Sequence, residues 1–371
     1  MGYQRALEAL DLEYTDKIPL LGAYCVGRRL ARKLTGMKRS EGDNYVRALH
    51  KALDVDMIYT TEPTGLGNRP RKTIYGDYEF FRKRLGGFGD AFHLAYRGMK
   101  LAQSPVVDQL WVVERPFKTY PELLDYLDRW DPREQETRSV KELAEQYGAF
   151  WEGRQKLLQD ITLVAGETYV TLWTFFVIHL GYPFLSRLIH QDIDVFDEAV
   201  AKFAAVTKKY HEAWARTGIK AFVQHDDIAT ENGPVMSLQW FRKHLFPYYK
   251  VMWQPFKDRG VKVINISDGN HTSLFEGYVE VGSDGFKVNN DANVSHVEFE
   301  ELYEKWGGYK VLIFQPNRET MMYGTEKETV AEIEFMTSLA KRYNGAFLHG
   351  IESRHHPAAA HKTWVKNRGR P

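Results

Sequence analysis

A continuous stretch from Ile219 to His271 constrains the fold of this chain more than any other segment. It begins with an apolar run that ends in His225-Asp226-Asp227, followed by a helix-periodic segment from Ser237 to Asp258. A second apolar run then ends in Ser267-Asp268-Gly269-Asn270. This order predicts a βαβ unit with acidic residues at the carboxyl ends of both strands, because parallel strands need a crossover of this length.

The same alternation of apolar run and helical segment recurs along the rest of the chain. Eight such steps favour a (β/α)8 barrel of the TIM type. The alternative is a doubly wound open sheet, but no GxGxxG or P-loop motif opens a strand-to-helix turn. The predicted strands are Ile18–Ala23, Val55–Tyr59, Ile161–Ala165, Ala221–Val223, Val261–Ile266, Gly285–Val288, Tyr309–Phe314 and Ala346–Leu348.

The pattern changes between about residues 65 and 135, where short alternating pieces are separated by Gly-Gly and Asp-Pro pairs. We interpret this segment as a lid-like insertion after the second strand and not as a domain of its own. The whole chain, residues 1–371, is therefore predicted to form a single barrel domain.

Composition excludes several classes of function. The formal net charge is +1 and no long basic run occurs, which argues against nucleic acid as the main partner. Cys25 is the one cysteine, so neither a disulfide within the chain nor a cysteine-based zinc site can form. No apolar run approaches the length of a membrane span, and we expect a soluble cytoplasmic protein. The oligomeric state is left open, a homodimer included.

Polar residues follow the predicted strands, and in a barrel they would meet at one mouth. Acids outnumber bases among them. Clustered carboxylates and imidazoles either bind a cation or shift one another's pKa values. The alternative is that individual Asp and Asn side chains cap the helices that follow. The residues expected at the mouth are Tyr24, Arg28, Glu62, Glu167, His225, Asp226, Asp227, Asp268, Asn270, Asn317, Glu319 and His349.

Three motifs in and around the opening stretch resemble the uroporphyrinogen decarboxylase superfamily. They are G-P-x-x-S at 233–237, F-x-x-x-x-x-P-Y-x-K at 241–250 and S-D-G-N at 267–270. Asp284-Gly285 and Tyr323-Gly324-Thr325 fit the same pattern, so the resemblance covers nearly the whole chain. It implies a TIM barrel with a cleft at the carboxyl end of the strands.

The resemblance leaves two chemistries open. In the decarboxylases an R-Q-A-G-R segment follows the first strand, and Tyr24-Cys25-Val26-Gly27-Arg28 stands there in this chain, with its first arginine lost. The family's aspartate falls near Glu62, its tyrosine falls at Phe175, and its histidine matches His349. Binding several carboxylates without the paired arginine is physically difficult, so decarboxylation of a small carboxylate is the second choice.

The other chemistry is that of the corrinoid-dependent methyltransferases, and it is the function we predict. The zinc thiolate positions of one branch read Ile266, Asp268 and His349 here, so that site is absent. The methyltransferase component of aryl-ether O-demethylases instead has zinc on E-x14-E-x20-H, and Glu319, Glu334 and His355 have this spacing. Glu334, however, would lie roughly 12 Å along the last helix from the mouth. The competing metal set is His225, Asp227, Asp268 and His349.

The predicted enzyme moves a methyl group from a methoxylated aromatic compound to the cobalt(I) corrinoid of a separate protein. A zinc ion or a protonated side chain would stabilise the charge that develops on the ether oxygen. No D-x-H-x-x-G corrinoid signature occurs in the chain, so the corrinoid is expected on a partner protein. The predicted catalytic residues are Glu62, His225, Asp227, Asp268, Asn270 and His349. The predicted substrate-binding residues are Tyr24, Arg28, Glu167, Trp173, Phe175 and Asn317.

Overall fold

The protein folds around a closed barrel of eight parallel strands, seen here in a computed structural model. The structure describes residues 2–22, 28–61, 63, 89–103, 110–289, 293–350 and 353–370. The barrel confirms the predicted fold class, and the open-sheet alternative is wrong. Its strands are β1 (Leu20–Leu21), β2 (Met57–Thr61), β5 (Leu163–Tyr169), β6 (Ala221–His225), β9 (Lys262–Ser267), β10 (Gly285–Val288), β11 (Val311–Phe314) and β12 (Ala346–His349).

Two small antiparallel pairs lie outside the barrel. They are β3 (Lys100–Gln103) with β4 (Leu110–Glu114), and β7 (Ala229–Thr230) with β8 (Gly233–Pro234). The described α-helices are α1 (Gly2–Leu10), α2 (Arg28–Thr35), α3 (Asp43–Leu53), α4 (Asp90–Ala95), α5 (Tyr120–Arg129), α6 (Val140–Leu158), α7 (Leu172–Leu180), α8 (Tyr182–Gln191), α9 (Ile193–Ala215), α10 (Leu238–His244), α11 (Phe246–Lys257), α12 (Phe275–Glu280), α13 (His296–Trp306), α14 (Arg318–Tyr323), α15 (Glu326–Ala340) and α16 (Pro357–Asn367).

Alternation along the strands divides the barrel interior into two zones. Successive side chains of a strand point to opposite faces, so every second residue points inward. The inward residues near the strand starts are apolar and form one cluster with α1, which closes the base of the barrel. Farther along the same strands the inward positions become polar, with Glu167, His225 and Lys287. The polar side chains that point into the barrel therefore lie at its carboxyl end. The apolar cluster includes Leu163, Ala165, Val223, Ile266, Ile313 and Phe347.

The outward faces of the strands pack against the helices in a second, larger core. Phe175 and Phe203 stack within it with ring centroids 3.6 Å apart, and Phe222 stacks on Phe256 at 4.2 Å. In the part of the chain that the structure describes, no single helix combines the length and apolar composition needed to cross a membrane.

A buried ion-pair network joins the two ends of the chain at the base of the barrel. Asp56 has no exposed surface and accepts from the Arg5 side chain, from Arg368 Nη2 at 2.8 Å and from the backbone nitrogen of Leu20 at 2.7 Å. Arg368 also contacts Asp54 Oδ2 at 3.0 Å. This network ties α1, the first two barrel strands and the segment after α16 to one carboxylate.

Three segments differ from the sequence-based expectation. The predicted helix from Ser237 to Asp258 is two helices, α10 and α11, which meet at Leu245 because Pro247 lies in the first turn of α11. Strand β5 continues to Tyr169, beyond its predicted end, and so carries two more inward side chains. Of the predicted insertion, residues 64–88 and 104–109 lie outside the described residues. Its described helix α4 is buried against the main core, and a lid role stays a prediction.

Candidate metal centre

Three side chains from two neighbouring strand ends converge at the carboxyl end of the barrel. His225 is the last residue of β6, and Asp227 lies two residues after it. Asp268 directly follows the last residue of β9. Because β6 and β9 are paired in parallel with His225 opposite Ile266, these residues lie side by side. The βαβ unit that the sequence predicted thus delivers both acidic loops to one place.

The three side chains offer a nitrogen and two oxygens to a common point. His225 Nε2 lies 3.1 Å from Asp227 Oδ1 and 3.8 Å from Asp268 Oδ1, and the three donor atoms all lie within 4.8 Å of one another. Nε2 is buried and yet lacks a hydrogen bond of acceptable direction, although Asp227 is close enough. An imidazole nitrogen that faces two carboxylates without bonding to either fits a divalent cation.

Charges around His225 favour a positive charge at this point. Burial alone would lower the pKa of the His225 imidazole, but Asp227, Asp268 and Glu167 outweigh it and hold this pKa well above its usual value. The imidazole in turn lowers the pKa of Asp268 to about 2. A proton and a metal ion would therefore compete for Nε2 of His225.

Backbone contacts fix the loop that carries two of these residues. Asp226, which is buried, accepts from the backbone nitrogens of Trp173 at 3.0 Å and Thr174 at 2.7 Å. These nitrogens belong to the first turn of α7, so Asp226 caps that helix and does not face the mouth. The hydroxyl of Thr174 accepts from the backbone nitrogen of Asp227 at 2.6 Å. Of His225, Asp226 and Asp227, Asp226 is therefore the residue with a structural role.

The loop after β9 needs its glycine. Gly269 has φ +78°, and a Cβ at this position would lie 2.4 Å from the backbone oxygen of Thr230. The loop therefore packs directly against the β7–β8 hairpin, which only glycine permits. Asp268 is held beside His225 by this close approach.

Two side chains of β5 complete the wall next to the metal centre. Glu167 Oε1 lies 3.6 Å from His225 Nδ1, on the side of the ring away from the two aspartates. The Tyr169 ring meets the His225 ring edge-on, with centroids 4.4 Å apart. Burial, and then Asp227, Asp268 and Glu167, raise the pKa of the Tyr169 phenol, which therefore stays protonated. Val170, the next residue, has φ +68°, a strained conformation for a β-branched side chain.

A cavity of about 510 Å³ reaches this wall. It is lined by Glu167, Tyr169 and His225 and by residues of β2, α3 and α6 such as Thr61 and His50. Its volume lies within the range of pockets that hold small organic ligands, roughly 300–1,000 Å³. A ligand in this cavity would have direct access to His225.

The family model for uroporphyrinogen decarboxylase (URO-D) matches residues 113–361, more than half of the chain. The chain belongs to the URO-D family. No curated protein sequence matches it.

Two solved structures are similar to this chain at low sequence identity. A methyltransferase from Methanosarcina mazei superposes with a TM-score of 0.64 at 14% sequence identity, covering 99% of this chain and 98% of that one. A 3-keto-D-glucoside 4-epimerase from E. coli, YcjR, reaches a TM-score of 0.37 at 14% identity, covering 62% of this chain and 94% of the other. At this identity the first likeness shows a shared fold.

Several predicted site residues of this URO-D protein do come together. Glu167, His225, Asp227 and Asp268 form one cluster, and His349 ends β12 at the same end of the barrel. Burial first, and then Lys287, hold the pKa of His349 well below its usual value, so its imidazole is neutral. His349 is not part of the group of three that can share an ion.

Other predicted site residues have structural positions. Trp173 and Phe175 are buried in the core between helices, where Trp173 meets Trp240 edge-on, and they do not line the described cavity. Asn317 caps α14, and the Asn270 side chain bonds to Thr272 and to the backbone oxygen of Asn293. Tyr24, Glu62 and the side chain of Arg28 lie outside the described residues.

The predicted zinc set Glu319, Glu334 and His355 does not assemble, and that assignment is wrong. All three residues are exposed, and the described residues contain no group of three donors other than His225, Asp227 and Asp268. The physical reason is that Glu334 lies more than two turns into α15, far along the helix from its mouth end.

A triple variant tests this correction directly. We expect Glu319→Ala/Glu334→Ala/His355→Ala to bind one divalent metal ion per chain with the affinity of the parent protein, because these exposed side chains share no site. Metal content after dialysis, measured by mass spectrometry, checks this. If the triple variant loses the metal, Glu319, Glu334 and His355 are metal ligands after all.

Tyr169, Lys287 and Asn289 were not identified from the sequence. Each continues the inward alternation of its strand, after Ala165 and Glu167 on β5 and after Gly285 on β10. Tyr169 lies four residues past the predicted end of its strand and Asn289 one residue past the end of its own, so extending the period of two would have found both. The signal was missed because the predicted end of β5 was too early and because Lys287 sits within a short, largely apolar run.

Proposed function

We propose that the protein is a methyltransferase that moves a methyl group from a methoxylated aromatic compound to the cobalt(I) corrinoid of a separate protein, as part of O-demethylation. The observation that carries this proposal is the cluster of His225, Asp227 and Asp268 with its orphaned imidazole nitrogen. Family membership supports it, as does the full-length likeness to a barrel described as a methyltransferase.

The donor set fits a metal such as zinc, with His225 Nε2, Asp227 and Asp268 as ligands. A histidine that binds metal through Nε2 carries its proton on Nδ1, and Glu167 lies on that side of the ring. Glu167 would therefore fix the tautomer of His225. When bound, the metal would act as a Lewis acid at the ether oxygen.

The chain's own side chains supply the rest of the reaction environment. Phenolate is a poor leaving group, and charge develops on its oxygen as the bond to the methyl carbon breaks. The protonated hydroxyl of Tyr169 is a hydrogen-bond donor at the wall of the cavity and can stabilise this charge. The methyl group would pass to the cobalt(I) of the partner's corrinoid, and the phenolate left behind would take a proton from water and leave as a phenol.

The partner protein would dock over the carboxyl end of the barrel. The corrinoid must bring its cobalt atom to the methyl carbon, and the candidate centre lies at this open end. The cavity beside it is of a size for a one-ring methyl ether. Donor and acceptor would then approach the centre from different sides.

Decarboxylation of a small carboxylate is the second candidate, since the URO-D family includes decarboxylases. The electrostatics of the site oppose it. Glu167, Asp227 and Asp268 face the same point, and without a metal they would repel a carboxylate substrate. An uncharged ether oxygen meets no such repulsion.

The proposal is tested by a methyl-transfer assay. We expect the zinc-loaded protein to convert free cob(I)alamin to methylcobalamin, followed by its absorption spectrum, with a methoxyarene as donor, and to lose this activity after treatment with a chelator. The same mixture without cobalamin should release no carbon dioxide from aromatic or aliphatic carboxylates. Carbon dioxide release without methyl transfer would favour the decarboxylase instead.

A further inference from the structure

We propose that Asn289 and Lys287 are positioning residues that hold Asp268 in the orientation of a metal ligand. This inference rests on the proposed metal centre and goes beyond it, because neither residue contributes an atom to the cluster of three. It assigns a function to a buried lysine that the reaction outlined above does not use.

A chain of hydrogen bonds leads from the barrel interior to the metal centre. Lys287 lies on β10 and is only 2% exposed, and its ammonium group donates to Asn289 Oδ1. Asn289 Nδ2 donates to Asp268 Oδ1, the same oxygen that faces His225. One amide therefore connects the lysine to the oxygen of Asp268 that faces His225.

Chemistry fixes which atoms donate and which accept in this series of hydrogen bonds. An ammonium group can only donate, so it selects the oxygen end of the Asn289 amide. The NH₂ end is thereby directed to the carboxylate of Asp268, which can only accept while it is ionised. If the amide turned over, its NH₂ group would face the ammonium group of Lys287 and its oxygen would face the carboxylate of Asp268, so both hydrogen bonds would be lost.

Of the two aspartates, Asp268 is the less restrained by its surroundings, so hydrogen bonds that orient its carboxylate should have the larger effect. Its side chain is 52% exposed, against 27% for Asp227, and it lies farther from His225 Nε2, at 3.8 Å against 3.1 Å. An exposed carboxylate that rotates freely loses conformational entropy when it binds a metal. Hydrogen bonds to ligating carboxylates reduce that loss, and removing such outer partners weakens metal binding roughly 10–100-fold.

Cobalt(II) binding tests this inference, because its visible spectrum reports the ligands and no reaction is needed. We expect Asn289→Ala to bind Co²⁺ about 10–100-fold more weakly than the parent chain and to show an altered visible band. Lys287→Met should weaken binding in the same direction if it folds. The matched control is Asn344→Ala, a half-buried amide at the base of the barrel that accepts from Arg370 Nη1, with unchanged Co²⁺ affinity.

A double-mutant cycle separates positioning from general support of the fold. In an Asp268→Ala background, Asn289→Ala should cause no further loss of Co²⁺ affinity, because its only proposed effect passes through that carboxylate. An equal loss in both backgrounds would overturn the inference, as would unchanged Co²⁺ affinity and spectrum in Asn289→Ala alone. If the parent protein binds no Co²⁺, both the metal centre and this inference are overturned, whereas a failure of Asn289→Ala alone leaves the metal centre intact.

Discussion

Replacing His225 by alanine should abolish both metal binding and methyl transfer. The substitution removes the nitrogen ligand and leaves Asp227 and Asp268 without the group that brings their charges together. Removing a mere outer partner of a metal ligand costs roughly 10–100-fold in affinity, so we expect the loss of a ligand to exceed about 100-fold. Metal content after dialysis and the rate of methylcobalamin formation measure the two effects.

The control for His225 is another histidine of the same chain. His190 is exposed on α8, where its ring bonds to the backbone oxygen of Ser186, and His190→Ala should keep the metal and the activity. Excess zinc should not rescue His225→Ala fully, since the remaining carboxylates form an incomplete site. A His225→Ala protein that retains full metal content would contradict the proposed centre, and one that retains full activity without metal would contradict the mechanism.

Replacing Asp56 by alanine should destabilise the protein strongly without touching the metal centre. The carboxylate has no exposed surface and joins Arg5 and Arg368, whose side chains are 8% and 4% exposed. Arginine cannot lose its proton in a protein, so both guanidinium groups would stay charged and buried with one partner fewer. Breaking such a buried pair costs about 3–5 kcal/mol. The free energy of unfolding from urea denaturation, compared with the parent, measures the effect.

The effect of Asp56 should be confined to stability because of where it lies. It belongs to the base of the barrel, at the start of β2, while the candidate metal centre follows the ends of β6 and β9. Below the denaturation midpoint, Asp56→Ala should bind metal as the parent does. Glu280→Ala, which removes an exposed partner of Arg242, is the control and should leave the midpoint nearly unchanged, because water screens surface pairs. Equal midpoints for Asp56→Ala and the parent would contradict the network's role.

The predictions for His225→Ala and Asp56→Ala concern opposite ends of the barrel. The base holds the termini together through buried charge, and the carboxyl end places ionisable groups where a ligand can reach them. In TIM barrels this division is general, since catalytic groups come from the carboxyl ends of the strands. A variant that affects one end should therefore leave the measurement for the other end unchanged.

Much of the fold follows from local patterns in the sequence. The spacing of apolar runs and amphipathic helices was enough to predict eight parallel strands, and their closure into a barrel is confirmed. The period of two also governs which side chains point inward, so Glu167 and His225 could be placed at the mouth. The break between α10 and α11 was missed because apolar residues continue at helical spacing from Phe241 through Leu245 and Tyr249, although Pro247 marks it.

The candidate site was predictable only in part. Asp227 and Asp268 were found because they end the two strands of one βαβ unit. The Glu319, Glu334 and His355 set failed because spacing along the chain says nothing about direction on a helix. Asp226 shows the same limit, since its sequence position is equivalent to that of its neighbours while its carboxylate caps α7.

By itself the sequence determined the barrel, its polar end and the acidic loops after β6 and β9, because these depend on periodicities that are local to the chain. Only the tertiary structure decided which polar groups meet. It joined Lys287 and Asn289 to Asp268, and it left an imidazole nitrogen of His225 unpaired between two carboxylates. The physical reason is that hydrogen bonds and ion pairs act over a few ångströms in space, and residues so close together come from strands far apart in the chain.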